Sequence, residues 1–179
     1  MCQFRMKKNA NVPEKKLRKL LTPISIRIGT KTCGNKMYQY TSKLKRVVDG
    51  DTIDAYIDLG FNVHVDKRIR FMGIDTPESR TRDLTEKRYG LGAKYRLMEI
   101  LDANGNVFVL KSHGTGKFGR VLGELFHHSE SELSINQMLI DEGHAVAYFG
   151  GSKQEVKDAL MEARKLSTEY VEKHIEALD

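Results

Sequence analysis

Only two cysteines occur, Cys2 and Cys33, and neither has metal-ligand spacing around it. That excludes a disulfide-stapled scaffold and a cysteine metal centre, and the pair reads as free thiols of a reducing compartment. Tryptophan is absent and prolines number three, and no low-complexity tract or internal repeat breaks the chain. Long apolar runs are missing as well. No stretch approaches the roughly 20 residues of a membrane span. The early basic residues Arg5, Lys7 and Lys8 lack the apolar run of about 7–15 residues that would follow them in a secretory leader. The expectation is an intracellular protein with no membrane partner. Acid is scarce at the front: residues 1–45 carry 12 Lys or Arg against one acid, Glu14.

The rest of the chain is charged differently. Residues 46–179 hold 18 basic and 23 acidic groups, so the net charge of +6 belongs to the front. A basic arm suits a polyanion such as nucleic acid, and it equally suits a solvated tail. The arm contains a short helical pattern over Pro13–Leu21, with Leu17, Leu20 and Leu21 on one face, and an alternating piece over Ile24–Ile28. Two segments are expected: a basic N-terminal extension over residues 1–36 and one domain over 37–179, with apolar content of 40% sufficient for a core.

Chemistry concentrates in three places. Arg70-Phe71-Met72-Gly73-Ile74-Asp75-Thr76-Pro77-Glu78 reads as the end of a buried strand carrying an arginine, a carboxylate, a proline turn and a second carboxylate. Charges at the end of a buried strand need a reason. Val47-Val48-Asp49-Gly50-Asp51-Thr52 sets two carboxylates two residues apart, on one face if the chain is extended; an Asp-Gly hairpin turn accounts for it too. Asp51 with Asp75 would offer hard oxygen ligands suited to calcium or magnesium rather than zinc. Gly116-Lys117-Phe118-Gly119-Arg120 is a flexible basic turn that could bring a second arginine to a phosphate. Arg70 and Asp75 are five apart, so strict alternation would part them; the break is expected at Gly73.

These three pieces, in this order, closely resemble the staphylococcal nuclease (thermonuclease) family. Glu86-Lys87-Arg88-Tyr89-Gly90, Ile135 to Leu139 with Gly143, and Ala145-Val146-Ala147-Tyr148 extend the likeness to roughly residues 44–176. The resemblance implies a metal-dependent nuclease that hydrolyses DNA, RNA or both by direct attack of water on phosphorus. It implies an endonucleolytic mode, 3′-phosphate products, and a monomer. It implies one calcium ion on Asp51, Asp75 and the Thr76 carbonyl, with Asp49 in support. Glu78 would be the general base or position the water, Arg70 and Arg120 would grip the phosphate, and Lys117 would bind substrate. Tyr148 would contact a nucleotide, or pack on the barrel. Three departures stand out: Gly116 for an aspartate, Phe118 for a tyrosine, and Gly150 for a second tyrosine. The alternative is a catalytically silent module that only binds nucleic acid.

Periodicity predicts strands over Tyr38–Val48, Thr52–Asp58, Val63–Ile74, Val107–Lys111 and Val121–Phe126. It predicts helices over Gly92–Asp102, Ile135–Glu142 and Lys153–Leu178, the last packed on the barrel. Thr76–Gly90 is expected as a long polar loop. Five strands with a helix between the third and fourth make an α+β OB-fold, a five-stranded barrel with about three packed helices, and the resemblance implies the same. Glu155-Val156-Lys157 matches half of another nuclease metal motif but falls on a helix, and adjacent His127 and His128 read as loop residues.

Overall fold

The computed structural model describes residues 38–175. The basic extension, its expected helix and strand and the boundary near Lys36 lie outside the described residues, whereas the last helix stops at His174, where Ile175 turns extended, rather than running to Leu178.

Three consecutive strands, β1 (Tyr38–Asp49), β2 (Thr52–Asp58) and β3 (His64–Phe71), form an antiparallel meander. Their alternation puts Ile53, Ala55 and Ile57 of β2, with Ile69 and Phe71 of β3, into the interior. Residues between them, Asp54, Tyr56, Arg68 and Arg70, must therefore point outward. After the helix α1 (Leu84–Asp102) come β5 (Val107–Thr115) and β6 (Val121–Phe126), which pair with each other antiparallel. β5 returns to β1, and β6 runs parallel beside β3, so the sheet closes in the order β1-β2-β3-β6-β5. This is the OB-fold expected from the strand count. Phe108, Leu110 and Leu125 complete the interior, covered by Leu97, Ile100 and Leu101 of α1 and by Ile135 and Leu139 of α2 (Ile135–Asp141). Ser134 caps α2, and Gly143 follows it at φ +75.

Four details differ from the periodicity. The third strand does not run to Ile74. It stops at Phe71, turns through Met72 and Gly73, and resumes as a two-residue strand β4 (Ile74–Asp75) in a separate sheet with β7 (Val146–Ala147). Gly73 sits at φ +78, a left-handed conformation that suits glycine. The anticipated irregularity is thus an exit from the barrel.

Second, α1 begins at Leu84, where Asp83 accepts hydrogen bonds from the amides of Thr85 (2.9 Å) and Glu86 (3.1 Å). The polar residues up to Gly90 belong to the helix, and the loop is only 76–83. Glycines at 90 and 92 disguised the helical pattern. Third, β5 continues to Thr115, because its paired partner β6 carries it beyond the apolar run. Fourth, α3 (Lys153–His174), opened by a Ser152–Glu155 capping box, packs chiefly on α1 and β7. Its buried Leu160 and Val171 lie outside the barrel core.

Candidate active site

Asp49 ends β1, and Gly50-Asp51 form the turn into β2. The two carboxylates therefore part at a turn. Asp49 accepts from the Gly50 amide at 3.1 Å and lies 3.9 Å from Arg80 Nη2. Asp51 turns to Arg70 and accepts from Thr52 Oγ1 at 2.8 Å. Gly50 permits this convergence. A Cβ there would lie 2.8 Å from Ala93 Cβ of α1 and 3.0 Å from Thr76 Oγ1, so the turn, the helix and the loop after β4 meet at a residue without a side chain.

Arg70 joins both halves of the site. Its Nη1 meets Asp51 and its Nη2 meets Asp75. The exit at Gly73 resolves the five-residue spacing: Asp75 leaves the barrel and folds back to the arginine. Asn136 of α2 secures that exit, donating to the Met72 carbonyl at 3.0 Å while its Oδ1 accepts from the Leu125 amide at 3.1 Å. The Met72 amide in turn donates to Gly123 O at 2.9 Å.

Asp51 is nearly fully buried, and burial pushes its carboxyl up to about 6, with Asp75 and Asp49 adding to the rise against the pull of Arg70. Glu78 is also raised, first by burial and then by Asp49 and Asp75. A carboxylate made more basic by its surroundings is better suited to remove a proton.

Asp75, Thr76, Glu78 and Tyr148 line one cleft of about 400 Å³. The β4–β7 pair aligns Asp75 with Val146, and the Tyr148 amide donates to Gly73 O at 2.8 Å. Tyr148 thus faces the cleft rather than packing in the barrel. The opposite wall is α3, which contributes Lys153, Lys157 and Leu160. These three share a helical face by their spacing, so a signal existed in the sequence. Glu86 of α1 also lines the cleft. Arg80, Asn136, Lys153 and Lys157 received no role from sequence reasoning.

Arg120 is not drawn into this cluster. Its guanidinium lies 5.6 Å from the Phe118 ring centroid and lines a second cleft with Lys45, Asp54 and Arg68. Parallel pairing of Ile69 with Val121 still sets the head of β6 beside the strand that carries Arg70. Lys117 is exposed on the same β5–β6 turn.

The donor set fits a hard cation. Two carboxylates lie within the span of one guanidinium, and a buried Thr76 follows the second. Two carboxylates leave the remaining positions of calcium to carbonyl, water and phosphate oxygens. Among the described residues, no cluster of three His, Cys, Asp or Glu side chains forms a protein-only cage, and no helix is long and apolar enough to cross a membrane.

A model of the family described as staphylococcal nuclease homologue matches residues 68–169, which includes Arg70, Asp75, Glu78 and Arg120 but begins after Asp51. An uncharacterized protein of Methanocaldococcus jannaschii is 27% identical over 149 residues, 73% of this chain and 69% of its own. An uncharacterized protein of Bacillus anthracis is 28% identical over 130 residues, 71% of this chain and 56% of its own. The chain therefore spans little more than half of that second relative.

Proposed function

Since the chain belongs to the family of staphylococcal nuclease homologues, we propose that it is a calcium-dependent nuclease cleaving phosphodiester bonds of DNA, RNA or both, endonucleolytically and with 3′-phosphate products. The observation that carries this is the meeting of Asp51 and Asp75 on Arg70, with Glu78 on the same cleft as Asp75.

Asp51, Asp75 and the Thr76 carbonyl would hold calcium, and Asp49 would support them through the turn. The ion supplies polarisation of a phosphoryl oxygen and charge to offset the developing pentacovalent state. Glu78 accepts a proton from the attacking water, or orients that water. The water oxygen bonds to phosphorus, the bond from phosphorus to the 5′-oxygen breaks, and the 5′-oxygen leaves as a hydroxyl after taking up a proton. Arg70 and Arg120 hold the non-bridging oxygens, most strongly as charge builds. Lys117 and Tyr148 bind the nucleotide. Phe118 lacks the hydroxyl of a tyrosine, and Gly150 offers no ring, so grip on the nucleotide rests more on Tyr148.

The second possibility is a silent nucleic-acid-binding module, favoured by Arg120 lining the cleft of Lys45, Asp54 and Arg68 rather than that of Asp75 and Glu78. One assay separates them. Single-stranded DNA and RNA are incubated with the protein in calcium or in chelator. The nuclease cleaves only with the ion, and Glu78→Gln retains binding while turnover falls at least about 100-fold. Binding without cleavage under any divalent cation would establish the silent module instead.

A further inference from the structure

We propose that Lys153 and Lys157 of α3 form a subsite for the upstream strand, the one that keeps the phosphate after the cut, so that the cleft grips its own 3′-phosphate product along the helix. The proposal deepens the nuclease reading and rests on it.

The cleft has two unlike walls. Asp75, Thr76 and Glu78 form one, with Glu86 of α1 beside them. The other is α3, whose first two turns bring Lys153, Val156, Lys157 and Leu160 to the same space of about 400 Å³. Lys153 and Lys157 are four residues apart, so they share a face and are offset by one turn, about 6 Å along the axis. Val156 is half-buried and Leu160 buried, so the two cations stand beside an apolar floor.

These lysines are not consumed by the fold. The acids of the same turns are engaged elsewhere: Glu155 accepts from the Ser152 amide at 3.0 Å, and Asp158 accepts from Gln154 at 2.9 Å. Further along the helix Lys165 is paired with Glu162 at 2.6 Å, whereas no ion pair of Lys153 or Lys157 occurs among the described residues. Both are exposed. Two cations that face carboxylates across a cleft, without bonding to them, suit a ligand of several negative charges laid between the walls. A nucleic acid strand is such a ligand: one phosphate goes to the acidic cluster with its ion, and the next ones along the chain go to the lysines.

Which strand they hold follows from the chemistry. The attacking and leaving oxygens lie roughly in line through phosphorus. A water at Glu78 therefore sends the 5′-oxygen, and the strand that departs with it, away from Glu78. The strand that keeps the phosphate is joined through its 3′-oxygen, off that axis, and turns along α3. Lysine suits this place. It is a point charge on a flexible stem, so it follows a backbone of any sequence, while the planar forks of Arg70 and Arg120 serve the reacting phosphate.

The test is a binding measurement on full-length protein carrying Glu78→Gln, so that nothing is cut, in calcium. Two thymidine tetranucleotides of equal charge compete with a fluorescein-labelled thymidine dodecamer. One ends in a 3′-phosphate, as the upstream product does, and the other begins with a 5′-phosphate. With the terminal phosphate on the acidic cluster, the two chains run in opposite directions. Lys153→Ala with Lys157→Ala should weaken the 3′-phosphorylated strand about tenfold and the 5′-phosphorylated strand by less than about twofold. The log-affinity against log-salt slope of the 3′-phosphorylated strand should flatten by about 1.4, at about 0.7 for each phosphate contact on a single strand. Lys153→Arg with Lys157→Arg keeps the charge and should keep both affinity and slope. Equal losses on the two strands, or a larger loss on the 5′-phosphorylated one, would make the lysines a general counterweight to the carboxylates and overturn the subsite. An unchanged affinity for the 3′-phosphorylated strand would overturn it as well. A preference for the 3′-phosphorylated strand that the alanine pair abolishes, in a wild-type protein that cuts nothing under any divalent cation, would remove the nuclease proposal and leave the subsite standing.

Discussion

Gly90 lies inside α1, and its missing side chain faces the loop that carries the proposed base. A Cβ at this position would stand 2.6 Å from Glu78 C, 2.6 Å from Ser79 N and 2.7 Å from Glu78 O, where ordinary contact begins at 3.4 Å. The obstructing atoms are backbone, so no rotamer change relieves them. The Gly90→Ala protein must move the loop or the helix by about 0.8 Å, the shortfall between those distances. Alanine gains about 0.8–1 kcal/mol over glycine in a helix interior, which offsets part of the strain. The fold should survive with a midpoint within a few degrees of wild type. Catalysis should not, because a displacement near 1 Å at a reacting group costs on the order of 100-fold. Steady-state cleavage of single-stranded DNA in calcium, with a thermal melt on the same sample, gives both quantities. Gly92→Ala is the control: its Cβ would press on Val171 Cγ2 at 2.6 Å, so it should lower the midpoint and spare kcat. A Gly90→Ala enzyme with kcat within threefold of wild type would refute the claim that this close approach positions Glu78.

Three further outcomes are expected. Arg120→Lys keeps the charge but loses the planar fork, so turnover should stay at least about tenfold down; near-normal kinetics would mean that only charge matters there. His144 is buried against Tyr170, and burial pushes it down to about 4. The unfolded chain binds that proton near 6.5, so stability should fall as pH drops from about 6.5 to 4, by on the order of 2–3 kcal/mol. Urea midpoints at pH 7 and pH 5 should differ less in His144→Gln, and an unchanged difference would assign the loss to other groups. Residues 1–36 carry ten Lys or Arg against one Glu. If about four of them meet phosphates, deleting the segment in the Glu78→Gln protein should flatten the log-affinity against log-salt slope by roughly three units; a lower melting midpoint with the slope intact would make the segment structural.

Most of the barrel was legible because its strands obey one rule. Ile53, Ala55 and Ile57 alternate with polar residues, and β2 and β6 have the bounds their patterns predict. The start of α1 was hidden because its first two turns face solvent and the loop, and two of its buried positions are glycines that carry no hydrophobic signal. Arg70, Asp75 and Asp51 were legible as a set, but their convergence depends on Gly73 and Asn136. Neither bears a functional group that reacts, and the hydrogen bonds of Asn136 join segments far apart in the chain. Arg120 was legible as the end of the turn before β6, beside the strand of Arg70, whereas the direction of its side chain, over Phe118 and into a second cleft, depends on neighbours that spacing does not encode.

The parallel seam between β3 and β6 has a consequence for folding. Every other barrel pair is antiparallel, and β1–β3 can zip from short turns as soon as they are made. The seam joins Ile69 to Val121 and Arg70 to Leu122, so it waits for α1 and β5 and must overcome the closure entropy of the whole intervening segment. A newly made chain therefore acquires its acidic residues early and its second arginine late. Closure of the barrel would thus arrive as a single late event, after the strand bearing Leu122 docks.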